Sequence, residues 1–336
     1  MSDMDAHSDA GAQGAQPCAP TEGIIGAFDV GGTKILAGLV TRDGRLLAQD
    51  QVPSEIPRGP LDVVERICAT IERLLAGAGL GRDSLSALGC SVPGPIDRAG
   101  GIVVFSPNLK WYDFPLRAEL QKRFPVPSPM DDDANCAALG EGWRGAGQGY
   151  RHFLYVTVST GVGAGLILDG RLYHGARDGA GEVGHTVVEP GGPPCSCGGA
   201  GCLEALTSGP AIANRARDAL LHGDDTVMRA MVDGDAAAVR SETVFAAAAQ
   251  GDAVALEILR TAGTYLGIGL ANLAMLFDPE AIVVGGGVIA GGEAIIGPAH
   301  ARRSSRMTTS PCWRCSPARQ RSFWRAARSS TIRSAS

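Results

Sequence analysis

Residues 24–49 read IIGAFDVGGTKILAGLVTRDGRLLAQ, and this stretch decides the fold. Apolar runs flank a Gly-Gly-Thr turn at residues 31–33, and a second turn follows at Asp43-Gly44. Apolar runs separated by glycine-rich turns predict a β-hairpin that continues into a meander. The Gly-x4-Gly-Lys-Ser/Thr spacing of a Walker loop is absent, and the residues after Lys34 are typical of a strand and not of a helix.

The first turn contains groups that can hold phosphate. Backbone N–H groups of a glycine-rich turn, together with the Thr33 hydroxyl, can cradle phosphate oxygens. Asp29 precedes the turn and can face a Mg²⁺ ion. An ordinary tight hairpin explains the same residues, so this stretch alone is weak evidence of function.

Residues 153–170 repeat the pattern of the first stretch. They read FLYVTVSTGVGAGLILDG, with an apolar strand, a Thr160-Gly161-Val162-Gly163 turn, a second apolar strand and an Asp169-Gly170 turn. An internal echo of this kind predicts two similar domains. Each domain would bring one phosphate-facing hairpin to a shared cleft, and the two hairpins would hold a nucleoside triphosphate from both sides.

Apolar periodicity and turn residues predict the remaining elements. They are a helix over 61–77, strands over 87–92 and 101–105, a short helix around 116–124, a helix that begins near residue 133, an exposed helical stretch over 224–251, a helix that Asp252 caps and that ends near Phe277, and a buried strand over 281–284. The last strand enters Gly285-Gly286-Gly287, where the lack of side chains lets a flat ring such as adenine approach the backbone.

Residues 178–204 read DGAGEVGHTVVEPGGPPCSCGGAGCLE and contain a cluster of metal-ligand types. Three thiolates and one imidazole are the set that a tetrahedral zinc ion needs, and the candidates are His185, Cys195, Cys197 and Cys202. A set of buried free thiols is the alternative. Four protein ligands leave no open position, which favours a structural zinc over a catalytic one. Glu182 and Glu204 flank the cluster, so a metal that holds this loop would also aim both carboxylates.

Residues 130–143, MDDDANCAALGEGW, place three aspartates before an alanine-rich helical run. Asp133 fits an N-cap, and it also fits a general base that takes a proton from a sugar hydroxyl. Asp132 beside it would raise the proton affinity of the pair by charge repulsion. Upstream, the amide of Asn108 suits a sugar diol, although a simple turn residue explains its spacing better.

Composition places the chain among globular proteins with two domains. The formal net charge of −5 disfavours nucleic acid as the main partner. We expect no membrane span, no signal peptide and no disulfide framework, and a reducing cytoplasm fits this pattern. Residues 1–22 are polar and rich in small side chains, which predicts disorder.

The chain resembles the bacterial sugar kinases of the ROK (repressor, open reading frame, kinase) family, and it is most similar to the glucokinases of that family. The resemblance runs from about residue 24 to about residue 299. Its most specific motifs are FDVGGTKILAGLV (28–40), DDANCAALGE (132–141), GEVGH (181–185) and CSCGGAGCLE (195–204).

The resemblance implies a two-domain α/β fold of the actin/hexokinase-like (ribonuclease H-like) type, with a cleft between the domains. It implies ATP-dependent phosphorylation of a hexose at its 6-hydroxyl, most simply glucose to glucose 6-phosphate. Mg-ATP and one structural zinc ion are the implied cofactors. N-acetylmannosamine, N-acetylglucosamine and fructose remain open as alternative acceptors, because the motifs that hold the hydroxyls are largely shared.

The same resemblance assigns residues to roles. Asp133 is the implied catalytic base. The implied sugar-binding residues are Asn108, Asp132, Asp133, Glu182, His185 and Glu204. The implied nucleotide-binding residues are Asp29, Gly31, Gly32, Thr33, Lys34, Thr160, Gly161, Gly163, Gly165, Gly286 and Gly287. The implied zinc ligands are His185, Cys195, Cys197 and Cys202. A cytoplasmic homodimer or larger homo-oligomer is expected, with no nucleic-acid or membrane partner.

Two features depart from the family pattern. The family usually has Asn before its catalytic Asp, where this chain has Asp132, which puts one sugar hydrogen bond in doubt and bears on the working pH. Residues 299–336 are rich in Arg and Ser and contain no Lys, Asp or Glu. They show no clear helical or strand period, and the C-terminal helix that is usual in the family is not visible there. We interpret this as a shifted reading frame, and a disordered basic extension is the alternative.

These observations divide the chain into four parts. They are a disordered tail (1–22), an N-terminal α/β domain (23–135), a C-terminal α/β domain (136–298) with a zinc loop (185–202), and an atypical tail (299–336). A sugar-binding chain inactivated by its altered C-terminus remains an alternative to an active kinase. A sugar-sensing repressor is less well supported, because residues 1–22 are too short and polar for a helix-turn-helix.

Overall fold

The computed structural model describes residues 23–301 and 312–315. The disorder predicted for residues 1–22, and most of the predicted 299–336 tail, lie outside these described residues. Within them the chain forms two five-stranded sheets, one three-stranded sheet and nine α-helices. The α/β class predicted from the sequence is confirmed.

The first five-stranded sheet contains the hairpin at the start of the ordered chain. Its order is β3-β2-β1-β4-β8; β1 pairs antiparallel with β2 and parallel with β4. The strands are β1 (Ile24–Val30), β2 (Lys34–Val40), β3 (Leu46–Pro53), β4 (Leu85–Ser91) and β8 (Met130–Asp131). Helix α1 (Pro60–Gly77) buries Ile67 and Ile71 completely in the core of this half. The predicted meander and the predicted amphipathic helix are both confirmed.

The second five-stranded sheet repeats the topology of the first. Its order is β11-β10-β9-β12-β13; β9 pairs antiparallel with β10 and parallel with β12. The strands are β9 (Phe153–Val158), β10 (Val162–Leu168), β11 (Arg171–Leu172), β12 (Ala281–Gly285) and β13 (Cys312–Cys315). The echo between residues 24–49 and 153–170 therefore corresponds to two sheets with the same strand order.

A small sheet and the remaining helices complete the described fold. The small sheet is β5 (Ile96–Asp97), β6 (Ile102–Ser106) and β7 (Trp111–Phe114), in that order. The helices are α2 (Leu116–Arg123), α3 (Asp133–Arg144), α4 (Leu203–Thr207), α5 (Gly209–His222), α6 (Met228–Met231), α7 (Ser241–Ala248), α8 (Ala253–Phe277) and α9 (Glu293–Ala301). The predicted boundary between residues 135 and 136 falls within the first turn of α3, and the division into domains stays a prediction.

Helix α8 is the central helix of the second core. Asp252 caps it as predicted, because its Oδ1 accepts a hydrogen bond of 2.8 Å from the Ala255 N–H. Our expectation of no membrane-length apolar run needs correction, since α8 is long and apolar enough to span a membrane by length and composition. Half of its most apolar window is buried, and Leu259, Leu266 and Leu270 are almost fully buried against the second sheet and its helices. These properties are those of the core helix of a globular protein.

The chain differs from expectation in two further segments. Residues 224–251 were predicted as an exposed helical stretch, but α6 and α7 are short and bury Met228 and Val244 in the second core. The predicted Arg/Ser-rich tail showed no strand period, yet β13 pairs parallel with β12. Helix α9 also continues past the predicted boundary at residue 298, with Pro298 inside it.

We expect Gly263→Ala to destabilise the packing of α8 on α9. A Cβ atom at Gly263 would lie 2.3 Å from the Ile295 carbonyl oxygen, which belongs to backbone and cannot rotate away. Overpacking of this kind lowers the free energy of unfolding by about 1–3 kcal/mol. Urea denaturation followed by circular dichroism measures the change.

Gly140→Ala is the matched control, because Gly140 lies within α3 and has open space where its Cβ would be. This substitution should raise the free energy of unfolding by up to about 1 kcal/mol, since alanine favours a helix interior. Equal effects of the two substitutions would contradict the close helix contact.

Candidate active site

A cleft of about 1700 Å³ is lined by residues from both halves of the chain. The glycine turns at residues 31–33 and 160–163 contribute to it, as does the start of α3. So do the loop that carries Asn108 (the Asn108 loop) and the zinc loop of residues 185–202 (the cysteine loop). The predicted site residues in its lining are Asp29, Gly31, Gly32, Thr33, Asn108, Asp132, Asp133, Thr160, Gly161, Gly163, Glu182, Cys195 and Glu204. Lys34, Gly165, His185, Cys197, Cys202, Gly286 and Gly287 are placed beside this lining and not within it.

The turn between β1 and β2 is closed by its own backbone. The Gly31 N–H donates to the Lys34 carbonyl oxygen over 2.8 Å. A Cβ atom at Gly32 would lie 3.2 Å from the Asn108 carbonyl oxygen, so glycine lets this turn approach the Asn108 loop closely. The predicted phosphate turn and the predicted sugar residue Asn108 are therefore neighbours.

Asp29 is the next-to-last residue of β1 and lies near the carboxylate of Asp133. Burial raises the pKa of Asp29, the hydrogen bond from Ser91 opposes that rise, and the nearby charge of Asp133 adds to it. The Ser91 hydroxyl donates to Asp29 Oδ1 over 2.8 Å and orients the carboxylate. Sequence reasoning missed Ser91, because β4 meets β1 only through long-range pairing.

The turn between β9 and β10 lies at the N-terminus of α5. The Ser159 N–H donates to the Gly161 carbonyl oxygen over 2.8 Å, and the Gly209 N–H donates to the Ser159 carbonyl oxygen over 2.8 Å. The Ser208 hydroxyl caps α5 by accepting from the Ala211 N–H. The positive end of the α5 dipole is therefore close to this turn.

Two groups of predicted nucleotide residues have packing roles in the fold. A Cβ atom at Gly165 would lie 2.4 Å from Ala138 Cβ, so this glycine makes room for α3 and does not line the cleft. Gly286 has a φ of 99°, and a Cβ there would lie 2.3 Å from the Val158 carbonyl oxygen. Gly287 lies beside Ser159 of the second turn, with a Cβ position 3.5 Å from Ser159 Oγ.

Asp132, and not Asp133, is the N-cap of α3. Asp132 Oδ1 accepts from the Asn135 N–H over 2.8 Å, whereas Asp133 is the first helical residue. The N-cap interpretation of Asp133 is therefore wrong. Any of the three consecutive carboxylates satisfies the sequence pattern for a cap, and the backbone takes the second. Asp133 stays in the cleft lining, at the positive end of the helix dipole.

Asp132 has the most strongly raised pKa of the carboxylates that line the cleft. Burial raises its pKa to about 6, while its hydrogen bond to the Asn135 N–H lowers it and the charges of Asp131, Asp133 and Glu182 raise it. The sequence predicted a raised proton affinity from repulsion between Asp132 and Asp133. Removal from water is the larger cause here, and repulsion adds to it.

The four predicted metal ligands converge. The ligand atoms of His185, Cys195, Cys197 and Cys202 all lie within 4.8 Å of one another. Cys197 Sγ is 3.7 Å from Cys202 Sγ, and Cys195 Sγ is 3.5 Å from His185 Nδ1. A tetrahedral zinc with Zn–S of about 2.3 Å and Zn–N of about 2.0–2.1 Å requires edges of roughly 3.8 Å and 3.5 Å. The residues fit a structural zinc ion.

Two glutamates, Glu182 and Glu204, flank the cysteine loop and line the cleft. Glu204 Oε2 accepts from the Val162 N–H over 3.0 Å, and Glu204 Oε1 accepts from the Ser196 hydroxyl over 3.2 Å. Glu204 therefore joins the cysteine loop to the second glycine turn. His185 Nε2 lies 3.9 Å from Glu182 Oε2, on the side of the ring away from the thiols.

Sequence reasoning missed a polar group on the cleft wall. The Tyr265 hydroxyl donates to Glu189 Oε1, and the Arg215 guanidinium lies 5.9 Å from the centre of the Tyr265 ring. All three side chains line the cleft. They come from the cysteine loop, α5 and α8, so no local motif could have grouped them.

Comparison with known proteins gives consistent similarities. A model of the ROK family matches residues 25–317, which extends beyond residue 299. The glucokinase of Thermotoga maritima is 39% identical over 277 residues, covering 82% of this chain and 85% of that protein. The glucokinase of Halalkalibacterium halodurans is 36% identical over 271 residues, covering 80% of this chain and 82% of that protein. A Streptomyces griseus ROK glucokinase structure with glucose and AMPPNP has a TM-score of 0.72 at 35% identity, covering 87% of this chain and 92% of that chain.

We expect Cys197→Ala to remove bound zinc. Three ligands remain in that variant, and the loss of one thiolate opens the coordination shell. The zinc content of the purified chain, measured by metal analysis, should fall from about one zinc per chain to near zero. Cys68→Ala is the control, because Cys68 is buried in the first core and burial raises its pKa to about 11. Unchanged zinc in the Cys197 variant would exclude this site.

We expect Asp132→Asn to stabilise the chain at neutral pH. The pKa of Asp132 is about 6 in the fold against 3.8 for the free side chain, so the folded chain holds an extra proton between these values. The free energy of unfolding therefore falls as pH rises through this window, because the buried carboxylate becomes charged. Asparagine cannot ionise and still caps the helix.

The gain should be about 1–3 kcal/mol at about pH 7.5 and clearly smaller at about pH 5. Urea denaturation at both pH values measures it. Asp169→Asn is the control, since the Asp169 side chain is 77% exposed. An Asp132 gain that does not change with pH would contradict the assigned burial effect.

Proposed function

Because the chain belongs to the ROK family, we propose that it is an ATP-dependent hexose kinase that converts glucose to glucose 6-phosphate. The observation that best supports this proposal is the position of Asp133. Its carboxylate begins α3 in a cleft that two glycine turns and two glutamates share. The similar glucokinases support glucose as the acceptor.

In the proposed reaction Asp133 is the general base. Its carboxylate accepts the proton of the sugar 6-hydroxyl, and the freed oxygen lone pair forms a bond to the γ-phosphorus of ATP. The bond from that phosphorus to the β–γ bridging oxygen breaks, and ADP leaves with the electron pair. The Asp133 carboxylate lies at the positive end of the α3 dipole, which interacts favourably with negative charge.

The two glycine turns are the proposed phosphate cradle. N–H groups of the first turn, at Gly31, Gly32 and Thr33, and of the second, at Thr160, Gly161 and Gly163, would donate to phosphate oxygens. The N-terminus of α5 adds positive potential beside the second turn. Asp29 would hold Mg²⁺, which supplies charge neutralisation between the phosphates. Lys34, Gly286 and Gly287 belong to the proposed nucleotide site, with adenine near the two glycines; Gly165 retains the packing role described above.

The proposed sugar site lies beside the phosphate cradle, because Asn108 neighbours the first turn and Glu204 accepts from the Val162 N–H of the second. Asn108, Asp132, Glu182, His185 and Glu204 would bind hydroxyl groups, because carboxylates accept and the asparagine amide both donates and accepts. The zinc loop would hold Glu182 and Glu204 in place. His185 would serve both sites, since its Nδ1 faces the thiols and its Nε2 faces Glu182.

A coupled assay for ADP release tests the reaction and the acceptor together. The purified chain is given Mg-ATP with glucose, N-acetylmannosamine, N-acetylglucosamine or fructose in turn. Turnover with glucose well above the other sugars supports the proposal. Preferred turnover with one of the other sugars would identify that sugar, and not glucose, as the acceptor. A folded, zinc-loaded chain that is silent on all four sugars would support the inactive alternative. A cytoplasmic location and a homo-oligomer remain predictions.

We expect Asp133→Asn to abolish turnover and to leave glucose binding nearly unchanged. The asparagine amide is similar in size to the carboxylate but cannot accept the proton, so kcat should fall by ~10²-fold to 10⁴-fold. The ADP assay measures kcat, and calorimetry measures the glucose Kd. Asp169→Asn, on an exposed turn, is the control. Near-normal turnover in the Asp133 variant would remove this residue from the mechanism.

A further inference from the structure

We propose that Arg98 and His174 are positioning residues for the sugar site. Their side chains join the small β5–β6–β7 sheet to the loop that leads into Glu182, and they also meet Asp131, which precedes the start of α3. They would thereby fix Glu182 relative to Asp133. This inference rests on the proposed function, because those two carboxylates are the groups that it positions.

Arg98 projects from a turn that is held rigidly. It lies between β5 and β6, where the Gly100 N–H donates to Asp97 Oδ1 over 2.9 Å. The Arg117 guanidinium of α2 donates to the Arg98 carbonyl oxygen over 2.7 Å and to the Ala99 carbonyl oxygen over 3.0 Å. A long side chain that starts from a fixed backbone loses less entropy when it makes distant contacts.

The Arg98 guanidinium reaches two residues of the second half. Its Nη1 lies 2.6 Å from His174 Nε2, and its Nη2 donates to Asp178 Oδ1. His174 Nε2 is also 2.7 Å from Asp131 Oδ2. The His174 and Asp131 side chains are only 16% and 14% exposed, so the contact between them is shielded from water far better than a surface ion pair.

One end of this network leads to Glu182. The Ala180 N–H donates to the His174 carbonyl oxygen over 3.0 Å, which closes the loop that carries Asp178. The Gly181 carbonyl oxygen accepts from the Ala164 N–H over 2.9 Å, and Glu182 follows directly. Glu182 therefore projects from a segment of backbone that His174 holds at one end and β10 holds at the other.

The other end leads to the start of α3. Asp131 Oδ1 accepts from the Asp132 N–H over 3.0 Å and from the Asn135 side-chain amide over 2.8 Å. Asp132 caps the helix, and Asp133 is its first residue. Neither Arg98 nor His174 is among the described residues that line the cleft. Their influence on the proposed reaction is therefore indirect.

The Nε2 atom of His174 can form a hydrogen bond with only one of its two neighbours, Arg98 or Asp131, at a time. Arginine is a donor and an ionised carboxylate is an acceptor, whereas a single Nε2 atom either donates or accepts. With its proton on Nδ1, the ring accepts from Arg98; with a proton on Nε2, it donates to Asp131. A glutamine amide has both a donor and an acceptor, so His174→Gln can preserve the connection that His174→Leu removes.

The chain contains a matched control cluster of the same residue types. Asp169 has a φ of 53°, close to the 56° of Asp178, and both Arg151 and His152 approach it within 3.5 Å. The Arg151 and Asp169 side chains are 73% and 77% exposed. Arg151→Ala therefore removes an Arg–Asp contact of the same kind where water screens it.

Hydrogen–deuterium exchange of the full chain without ligands is the first test. Arg98→Ala and His174→Leu should accelerate exchange over residues 173–185 by ~10-fold or more, because the loop loses its anchor. His174→Gln and Arg151→Ala should leave this segment near the rate of the parent chain. Unchanged exchange in Arg98→Ala would overturn the proposal, whatever the activity of the chain.

Steady-state kinetics is the second test and separates positioning from simple destabilisation. Arg98→Ala and His174→Leu should lower kcat/KM for the sugar by ~10-fold to 100-fold and raise the sugar KM. KM for ATP should stay within about twofold, because the phosphate turns are not part of the network. If Arg98→Ala fails to fold, Arg98→Lys keeps the charge and loses the planar two-sided contact, and the same change in sugar KM is expected.

A lower kcat with both KM values unchanged would show loss of active protein and would reject positioning. Absence of turnover in the parent chain would contradict the proposed function alone, since the exchange experiment still decides whether Arg98 anchors the loop.

Discussion

The packing of α3 on the second sheet is the contact on which the rest of the site depends. The helix begins where β8 of the first sheet ends, and it lies against β10 of the second. Gly165 permits this approach, because a Cβ there would be 2.7 Å from the Ala134 carbonyl oxygen. At Gly163 a Cβ would be 3.5 Å from Ala134 Cβ. The small residues on β10 therefore set how closely α3 approaches the second sheet, and with it the position of Asp133 in the cleft lining.

The two sheets with matching strand order explain why the cleft has two similar walls. In each sheet the glycine turn follows the middle strand, β1 or β9, which pairs antiparallel with the strand after the turn and parallel with β4 or β12. Both glycine turns lie in the cleft lining. Their surroundings differ. The first turn contacts the Asn108 loop, whereas the second is fastened to Glu204 and to the N-terminus of α5. One wall thus connects with the proposed sugar site through the Asn108 loop, and the other does so through the cysteine loop.

Local patterns in the sequence predicted the parts that depend on local physics. The β1–β2 meander, α1, α8 and the cluster of four candidate metal ligands follow from residue periodicity or from clustered residue types. The choice of Asp132 as cap could not be predicted, because neighbouring aspartates compete for the same backbone N–H groups. Arg98 and His174 are 76 positions apart and meet only through the tertiary fold. Contacts of that kind leave no periodic signal in one sequence.

The cysteine loop is coupled to more than the proposed sugar site. Ser196 lies between two of the thiols, and its hydroxyl donates to Glu204, whose other oxygen accepts from the Val162 N–H of the second glycine turn. One carboxylate therefore has lone pairs committed to both loops, and its remaining lone pairs are available to a ligand. Because the same group connects the cysteine loop to the turn beside α5, a shift of either loop must displace the other or break a hydrogen bond. Order in the cysteine loop is thus a condition for the geometry on both sides of the cleft.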